Sequence, residues 1–175
     1  CLAVVAEARD FVWVKAGAVQ APIRVASNAP AATVPAAGEL ADYVKKISGV
    51  RPEIVSGCPG SAPAASVWVG FQPALTNVFP RVSLEFRHPE EILLIGTRDH
   101  VLIVGRDRMA GTNQIEFGTA NAVYTFIEKR LGVRWLWPGT LGEDVLRRDT
   151  IALPPSEYRF HPVFRQRKLW PENPE

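Results

Sequence analysis

Apolar positions along this chain repeat with two different periods, and the alternation between those periods predicts strands and helices in mixture. Residues 11–14 and 23–26 are short runs rich in β-branched and aromatic side chains, separated by Gly17 and Pro22, and both are predicted strands. After a stretch of small residues and prolines at 27–35, Leu40, Tyr43, Val44 and Ile47 recur at i, i+3, i+4 and i+7, which is one apolar face of a helix. Gly49 should stop that helix by taking a left-handed conformation, and Lys45 and Lys46 suit the negative end of its dipole. Residues 53–55 read as a strand and complete a β-α-β unit.

The pattern continues with a Gly/Pro/Ala/Ser loop at 57–66, a short strand at 67–69, and a stretch at 71–89 that has no period and is expected to be irregular. Residues 92–95 and 101–104 are β-rich apolar runs joined through Gly96, Thr97, Arg98, Asp99 and His100, a hairpin signature. Both runs are almost continuously apolar, which places the hairpin near the centre of a sheet rather than on an open face. Residues 105–118 form the longest polar stretch and are expected as a surface excursion. A second helix follows, with Ala120, Val123, Tyr124, Ile127 and Leu131 on one face, Thr119 as N-cap and Gly132 as stop. Strands are predicted at 133–137 and 150–153, and no closing element is expected from Glu157 onward. The predicted fold class is α+β: a mixed β-sheet with two main helices, around Tyr43 and Tyr124, on one face. The folded domain is expected to span 9–156, with 157–175 a linker.

Composition narrows the function classes. A chain of 175 residues can bury one good core and is too short for two ordinary domains. With 47% apolar and 22% charged residues it belongs with globular proteins. Its 20 basic and 18 acidic side chains leave a net charge of +2 and no basic stripe, so nucleic acid is not an expected partner. No apolar stretch approaches the roughly 18 residues of a membrane span. Leu2 opens an apolar run ending in Ala6-Glu7-Ala8, which reads as a signal-peptide remnant at 1–8 with cleavage before Arg9. The expectation is export to the periplasm, cell surface or medium. Lipid anchoring at Cys1 is the second reading, ranked lower because Leu-Ala-Val-Val follows instead of a polar tether. Cys58 stands alone in a turn and supports no disulfide framework.

Candidate chemistry is sparse. Five residues separate Gly105 from Gly111 and no lysine follows, so a Walker phosphate loop is absent, as is Gly-x-Gly-x-x-Gly; no cofactor is expected. His88, His100 and His161 have no metal-ligand spacing, so no metal is expected. The pairs Glu90-Glu91 and Glu143-Asp144 point to opposite faces of an extended chain, form no acid/base dyad, and read as solvated turn residues. The most distinctive run is Arg134-Trp135-Leu136-Trp137-Pro138-Gly139, in which a strand would put Trp135 and Trp137 on one face. Two such indoles serve either as packing, internal or against a neighbouring domain, or as a platform for a sugar ring. Packing is favoured, because tryptophan is more often buried by protein than by ligand. Trp135, Trp137, Glu143, Asp144 and Arg106 are therefore the candidate sugar or domain contacts, and no residue is assigned as catalytic.

Five segments in order carry a family resemblance: Ala37-Gly38-Glu39-Leu40-Ala41-Asp42-Tyr43-Val44-Lys45-Lys46-Ile47-Ser48-Gly49; Val67-Trp68-Val69-Gly70; the run from Val101 to Asp107; Gly118-Thr119-Ala120-Asn121-Ala122-Val123-Tyr124-Thr125-Phe126-Ile127-Glu128; and Leu131-Gly132-Val133-Arg134-Trp135-Leu136-Trp137-Pro138-Gly139. Together they resemble the N-terminal domain of α-glucuronidases and related bacterial glycoside hydrolase-like proteins, and more loosely the small N-terminal domain of β-N-acetylhexosaminidases. The resemblance implies a small α+β domain packed against a following (β/α)8 barrel that holds the catalytic carboxylates. It implies an accessory role with the downstream catalytic domain as partner, carbohydrate as a possible ligand, and no catalytic residue in this chain. The competing reading is a stand-alone carbohydrate-binding or adhesion module that uses Trp135 and Trp137 as its stacking platform.

Overall fold

The structure, a computed structural model, describes residues 9–57 and 64–164. In chain order these form β1 (Phe11–Lys15), β2 (Ala18–Val19), β3 (Ile23–Val25), α1 (Thr33–Ser48), β4 (Ile54–Ser56), β5 (Ser66–Val69) and the single-turn α2 (Leu75–Val78). There follow β6 (Ile92–Gly96), β7 (His100–Gly105), β8 (Asp107–Ala110), β9 (Asn113–Phe117), α3 (Gly118–Leu131), β10 (Arg134–Trp135), β11 (Glu143–Asp144), β12 (Ile151–Leu153) and β13 (Ser156–Phe160). The main sheet has six strands in the order β13-β6-β7-β5-β3-β4, parallel from β7 to β4 and antiparallel at β6 and β13. It is the expected mixed sheet, and the β6–β7 hairpin lies inside it.

The period of two along the strands sorts the core into two layers. Val67, Val69, Leu94, Val101 and Ile103 face α1 and α3 in the larger cluster, with Leu40, Val44, Ile47, Val123, Phe126 and Ile127 from the helices. The alternate residues Trp68, Leu93, Ile95, Leu102 and Val104 face the other way, under Leu75, Phe79 and the irregular segment beyond α2. Cover on both faces is why β6 and β7 carry nearly unbroken apolar runs. Both helices end as expected, with Gly49 at φ 83° and Gly132 at φ 78°.

Several expectations are corrected. The 105–118 stretch, expected as a polar surface loop, is an ordered hairpin, β8 paired with β9. It springs from a pinch between Gly105 and Gly118, whose backbones approach so closely that a Cβ on either would overlap the other's neighbourhood. Thr119 is not the N-cap of α3 but lies inside the helix. Its amide and hydroxyl both bond to Asp107, at 3.1 and 2.6 Å, so a carboxylate from β8 caps the helix from outside it. Tyr124, expected on the buried face, is partly exposed, and Phe126 takes the interior position. The strand expected at 133–137 stops at Trp135. The chain does have a closing element beyond residue 156: β13 pairs along the whole of β6, so ordered structure continues past the expected linker boundary.

The strand expected at 11–14 belongs to a separate three-stranded sheet, β12-β1-β2, which brings Phe11 and Trp13 against the helix layer. Trp13 meets Phe126 edge-on at 6.3 Å and donates its indole hydrogen to Ala21 O. Among the described residues no helix is long and apolar enough to cross a membrane. Cys1, the proposed cleavage site before Arg9 and Cys58 lie outside the described residues.

Candidate functional site

The Trp135 region is assembled from three elements. β10 and β11 pair antiparallel, Arg134 opposite Asp144 and Trp135 opposite Glu143, and this short ladder lies beside the last turns of α1. Side chains directly opposite on such a ladder share a face. Trp135 and Glu143 accordingly meet the same residue of α1: Trp135 Nε1 donates to Tyr43 Oη at 2.7 Å, and that hydroxyl donates to Glu143 Oε1 at 3.1 Å. Lys46, one turn of α1 away from Tyr43, binds Glu143 Oε2 at 2.5 Å and lies over the Tyr43 ring at 4.5 Å. On the opposite side of the ladder Arg134 forks onto Asp144 Oδ2 at 2.7 and 3.1 Å.

The electrostatics follow from these contacts. The hydrogen bond from Lys46 holds the Glu143 carboxyl below the usual glutamate range, with Tyr43 adding to the effect. Burial raises the Tyr43 phenol, against the hydrogen bond from Trp135. The Glu143 carboxyl is therefore not poised to donate a proton near neutral pH, and Asp144 is paired with Arg134. They are not simply solvated turn residues.

Trp135 is 41% exposed and its ring is fixed edge-on against Tyr43 (5.6 Å, 87°) and Tyr124 (6.4 Å, 77°). With Tyr124 and Phe160 it walls a groove of about 300 Å³ whose rim includes Asn121, Thr125, Glu90 and Glu128. Trp137 does not line that groove. The regular strand ends at Trp135; Leu136 N still bonds Gly142 O at 2.8 Å in the ladder's register, but Trp137 falls in the bend of residues 137–139, so one strand does not present both indoles. Trp137 is 58% exposed, and Leu136, Leu141 and Leu146 of the same short segment are exposed as well, Leu141 at 88% and Leu146 at 73%.

Arg106 is separate from this cluster. It pairs with Glu116 at 3.2 Å, as an ion pair rather than an aligned hydrogen bond, and lines a different cleft at the carboxyl end of β7. The Glu90-Glu91 pair departs from the expectation of two solvated turn residues. Glu91 is 4% exposed; it accepts from the amides of Arg87 (2.8 Å) and His88 (3.0 Å) and from Arg159 Nη1 at 2.6 Å. Arg159 also donates to the carbonyls of Ser83 and Glu85, so one ion pair ties β13 to the irregular segment. Burial pushes the Glu91 carboxyl up, but the two amides and the guanidinium outweigh it and hold the group below the ordinary range. Sequence spacing gave no signal for this, since Arg159 is 68 positions away. His88 and His161 stack face to face at 3.8 Å, and no group of three metal-ligating side chains occurs among the described residues.

No protein-family model matches the chain, and no curated protein matches it. Among solved structures it is similar to a family GH115 4-O-methyl-α-glucuronidase with specificity for decorated arabinogalactans, with a TM-score of 0.56 and 15% identity over 86% of this chain. It is also similar to the GH20 β-N-acetylhexosaminidase from Streptomyces coelicolor A3(2), with a TM-score of 0.49 and 13% identity over 91% of this chain. The chain spans 18% of the length of the first and 25% of the second. The likeness to the glucuronidase is one of fold: the α+β architecture is that of a portion of a glycoside hydrolase.

Proposed function

We propose that this chain is a non-catalytic accessory domain of an exported glycoside hydrolase-like protein, docking on a following (β/α)8 barrel and shaping its substrate cleft. The observation that supports the reading is the exposure of four large apolar side chains, Leu136, Trp137, Leu141 and Leu146, within the one segment 136–146, since apolar side chains left in water mark an interaction surface when they gather. The β10–β11 ladder that brackets residues 136–142 is held by Tyr43, Lys46 and the Arg134–Asp144 fork, which limits the ordering entropy lost on docking. Fold likeness to part of an α-glucuronidase supports the same reading. The carboxylates argue against turnover by the chain itself. A glycosidase sets two carboxyls about 5–10 Å apart and raises the pKa of one. Here Glu143 and Glu91 are both held low and Asp144 is occupied by Arg134; burial does raise the Asp107 carboxyl, but its oxygens are taken by Thr119 and Gln114 in capping α3.

The experiment compares the isolated chain with its parent polypeptide on aryl glycosides and glucuronic-acid-substituted xylo-oligosaccharides. Turnover is expected from the parent alone. A Trp137→Ala, Leu141→Ala double variant should leave the isolated chain's melting unchanged while making the parent more sensitive to limited proteolysis. Turnover by the isolated chain that vanishes with Glu143→Gln would overturn the accessory role. Export rests on the reading of residues 1–8 as a leader, for which N-terminal sequencing should find a mature start at Arg9; a diacylglycerol-modified Cys1 would contradict it.

A second reading, a carbohydrate-binding module, is favoured by one observation: Tyr124, Trp135 and Phe160 are partly exposed around a single groove with polar groups on its rim. It places the platform on Trp135 without Trp137. Loss of oligosaccharide binding in Trp135→Ala, with an intact parent interface, would put this reading first.

A further inference from the structure

The four parallel strands, β7-β5-β3-β4 in spatial order, bring their carboxyl ends to one edge of the sheet. After β3 the chain moves to the helix face and forms α1, whose apolar side joins the larger core. After β5 it leaves for the opposite face, where Leu75 and Phe79 pack with Trp68 and Leu102. Neighbouring strands whose continuations part to opposite faces leave a crevice outside their carboxyl ends, which is where open α/β sheets hold ligands. A cleft of about 530 Å³ lies at this place, lined by Asn28 beyond β3, Phe71 and Pro73 beyond β5, Arg106 and Asp107 at the end of β7, and Phe86 from the segment after α2. Its volume is in the range of small-molecule sites.

In such a crevice helix N-termini usually bind an anion. Here several of their donors are already engaged. At α1, Ala32 N donates to Gln114 Oε1, Thr33 N donates to Pro30 O, and Pro35 has no amide hydrogen to offer. At α3, Gly118 N donates to Arg106 O and Thr119 N to the carboxylate of Asp107, which places a negative group where a phosphate would sit. The guanidinium of Arg106 faces Glu116, and Glu116 is shared with Arg108 at 3.6 Å. With Asp107, the two arginines and two carboxylates around the cleft sum to zero, so it presents no excess of positive charge. What it does offer is an aromatic face, Phe71 at 58% exposure flanked by Pro73 and Phe86, with the amide of Asn28 on its border.

We propose that this crevice binds a neutral, hydroxyl-bearing ring, the pyranose of an uncharged saccharide, stacked on Phe71 between the carboxyl ends of β3, β5 and β7. The CH face of such a ring matches the exposed phenyl, and its hydroxyls hydrogen-bond to Asn28 and to the free edges of the charged pairs without breaking them. Uronates and nucleotides are disfavoured, because the charges around the cleft already balance and an anion would stand beside the Asp107 carboxylate. The site shares no residue with the Trp135 groove and does not rest on the docking reading.

The test is an amide-shift titration of the ¹⁵N-labelled 175-residue chain with xylotetraose, cellotetraose, glucuronate and ADP. The neutral tetraoses should shift the amides of Asn28, Phe71, Arg106 and Asp107 at millimolar concentration, and the two anions should leave them in place. Phe71→Ala, at an exposed position, should weaken tetraose binding roughly tenfold, equivalent to about 1.4 kcal/mol, with no change in melting temperature. Tighter binding of ADP or glucuronate at these amides, unaltered binding in Phe71→Ala, or no shift there at any concentration reached would overturn the proposal. Shifts confined to Thr125, Trp135 and Phe160 would also overturn it, and would support the carbohydrate reading of the other groove.

Discussion

Arg159→Ala is the substitution that most sharply tests how the sheet is closed. Its guanidinium meets Glu91 at 2.6 Å and two carbonyls of the segment after α2, and Glu91 has almost no access to water. Removing one partner of a buried pair leaves an uncompensated charge and costs about 3–5 kcal/mol. Because the Arg159 side chain is 31% exposed, water can enter once it is truncated, and the lower end applies, about 3 kcal/mol. For a chain of this size that corresponds to a fall in melting temperature of roughly 6–12 °C at neutral pH. The pH dependence has a definite sign. The folded pKa of Glu91 is depressed, so the pair's contribution is complete above the unfolded carboxyl value, about 4.3, and is lost as pH falls through the lower folded value. The gap between wild type and variant should therefore be full at pH 7 and shrink below about pH 4. Thermal melts followed by circular dichroism at both pH values provide the measurement. A Glu91→Gln background provides the control: Arg159→Ala should cost at least about 1 kcal/mol less there, the coupling expected of two residues in direct contact. A melting temperature that barely moves at pH 7, or a loss equally large at both pH values, would refute the reasoning.

Three further outcomes are expected. Gly118→Ala should be severely destabilising and should also disorder the β8–β9 hairpin, because its Cβ would overlap the Arg106 backbone; amide hydrogen exchange across 107–117 would detect this. Tyr43→Phe removes the acceptor of Trp135 Nε1 and a donor to Glu143, which should cost about 1–2 kcal/mol by denaturant titration and increase mobility of the Trp135 indole in fluorescence anisotropy. Trp137→Ala in the isolated chain should change stability by no more than about 0.5 kcal/mol, since its ring is largely in solvent; a larger loss would place it in packing instead.

The features legible in the sequence are those fixed by local chemistry. The period of 3.6 around Tyr43 and after Thr119, the glycines at 49 and 132 and the paired apolar runs at 92–104 each depend on residues within one or two turns of one another, and all appear in the fold. The tertiary structure decided what depended on distant partners. Residues 11–14 and 150–153 both read as strands, but only their mutual pairing puts them in a second sheet over the helices. Ser156–Phe160 looks too charged for a strand because one edge of it is open to water; pairing with β6 and the Glu91–Arg159 contact supply what its own pattern lacks. Asp107 becomes the cap of α3 only because Gly105 and Gly118 bring the two ends of a hairpin together. The same holds for the candidate sites. Alternation alone pairs Trp135 with Trp137, but the regular strand ends at Trp135, whose indole goes to Tyr43, while Trp137 falls in the bend beyond it and stays on the surface. The crevice beyond β3, β5 and β7 has no sequence signature, because it arises from strand order, and strand order is set by contacts between segments that the chain's local pattern does not encode.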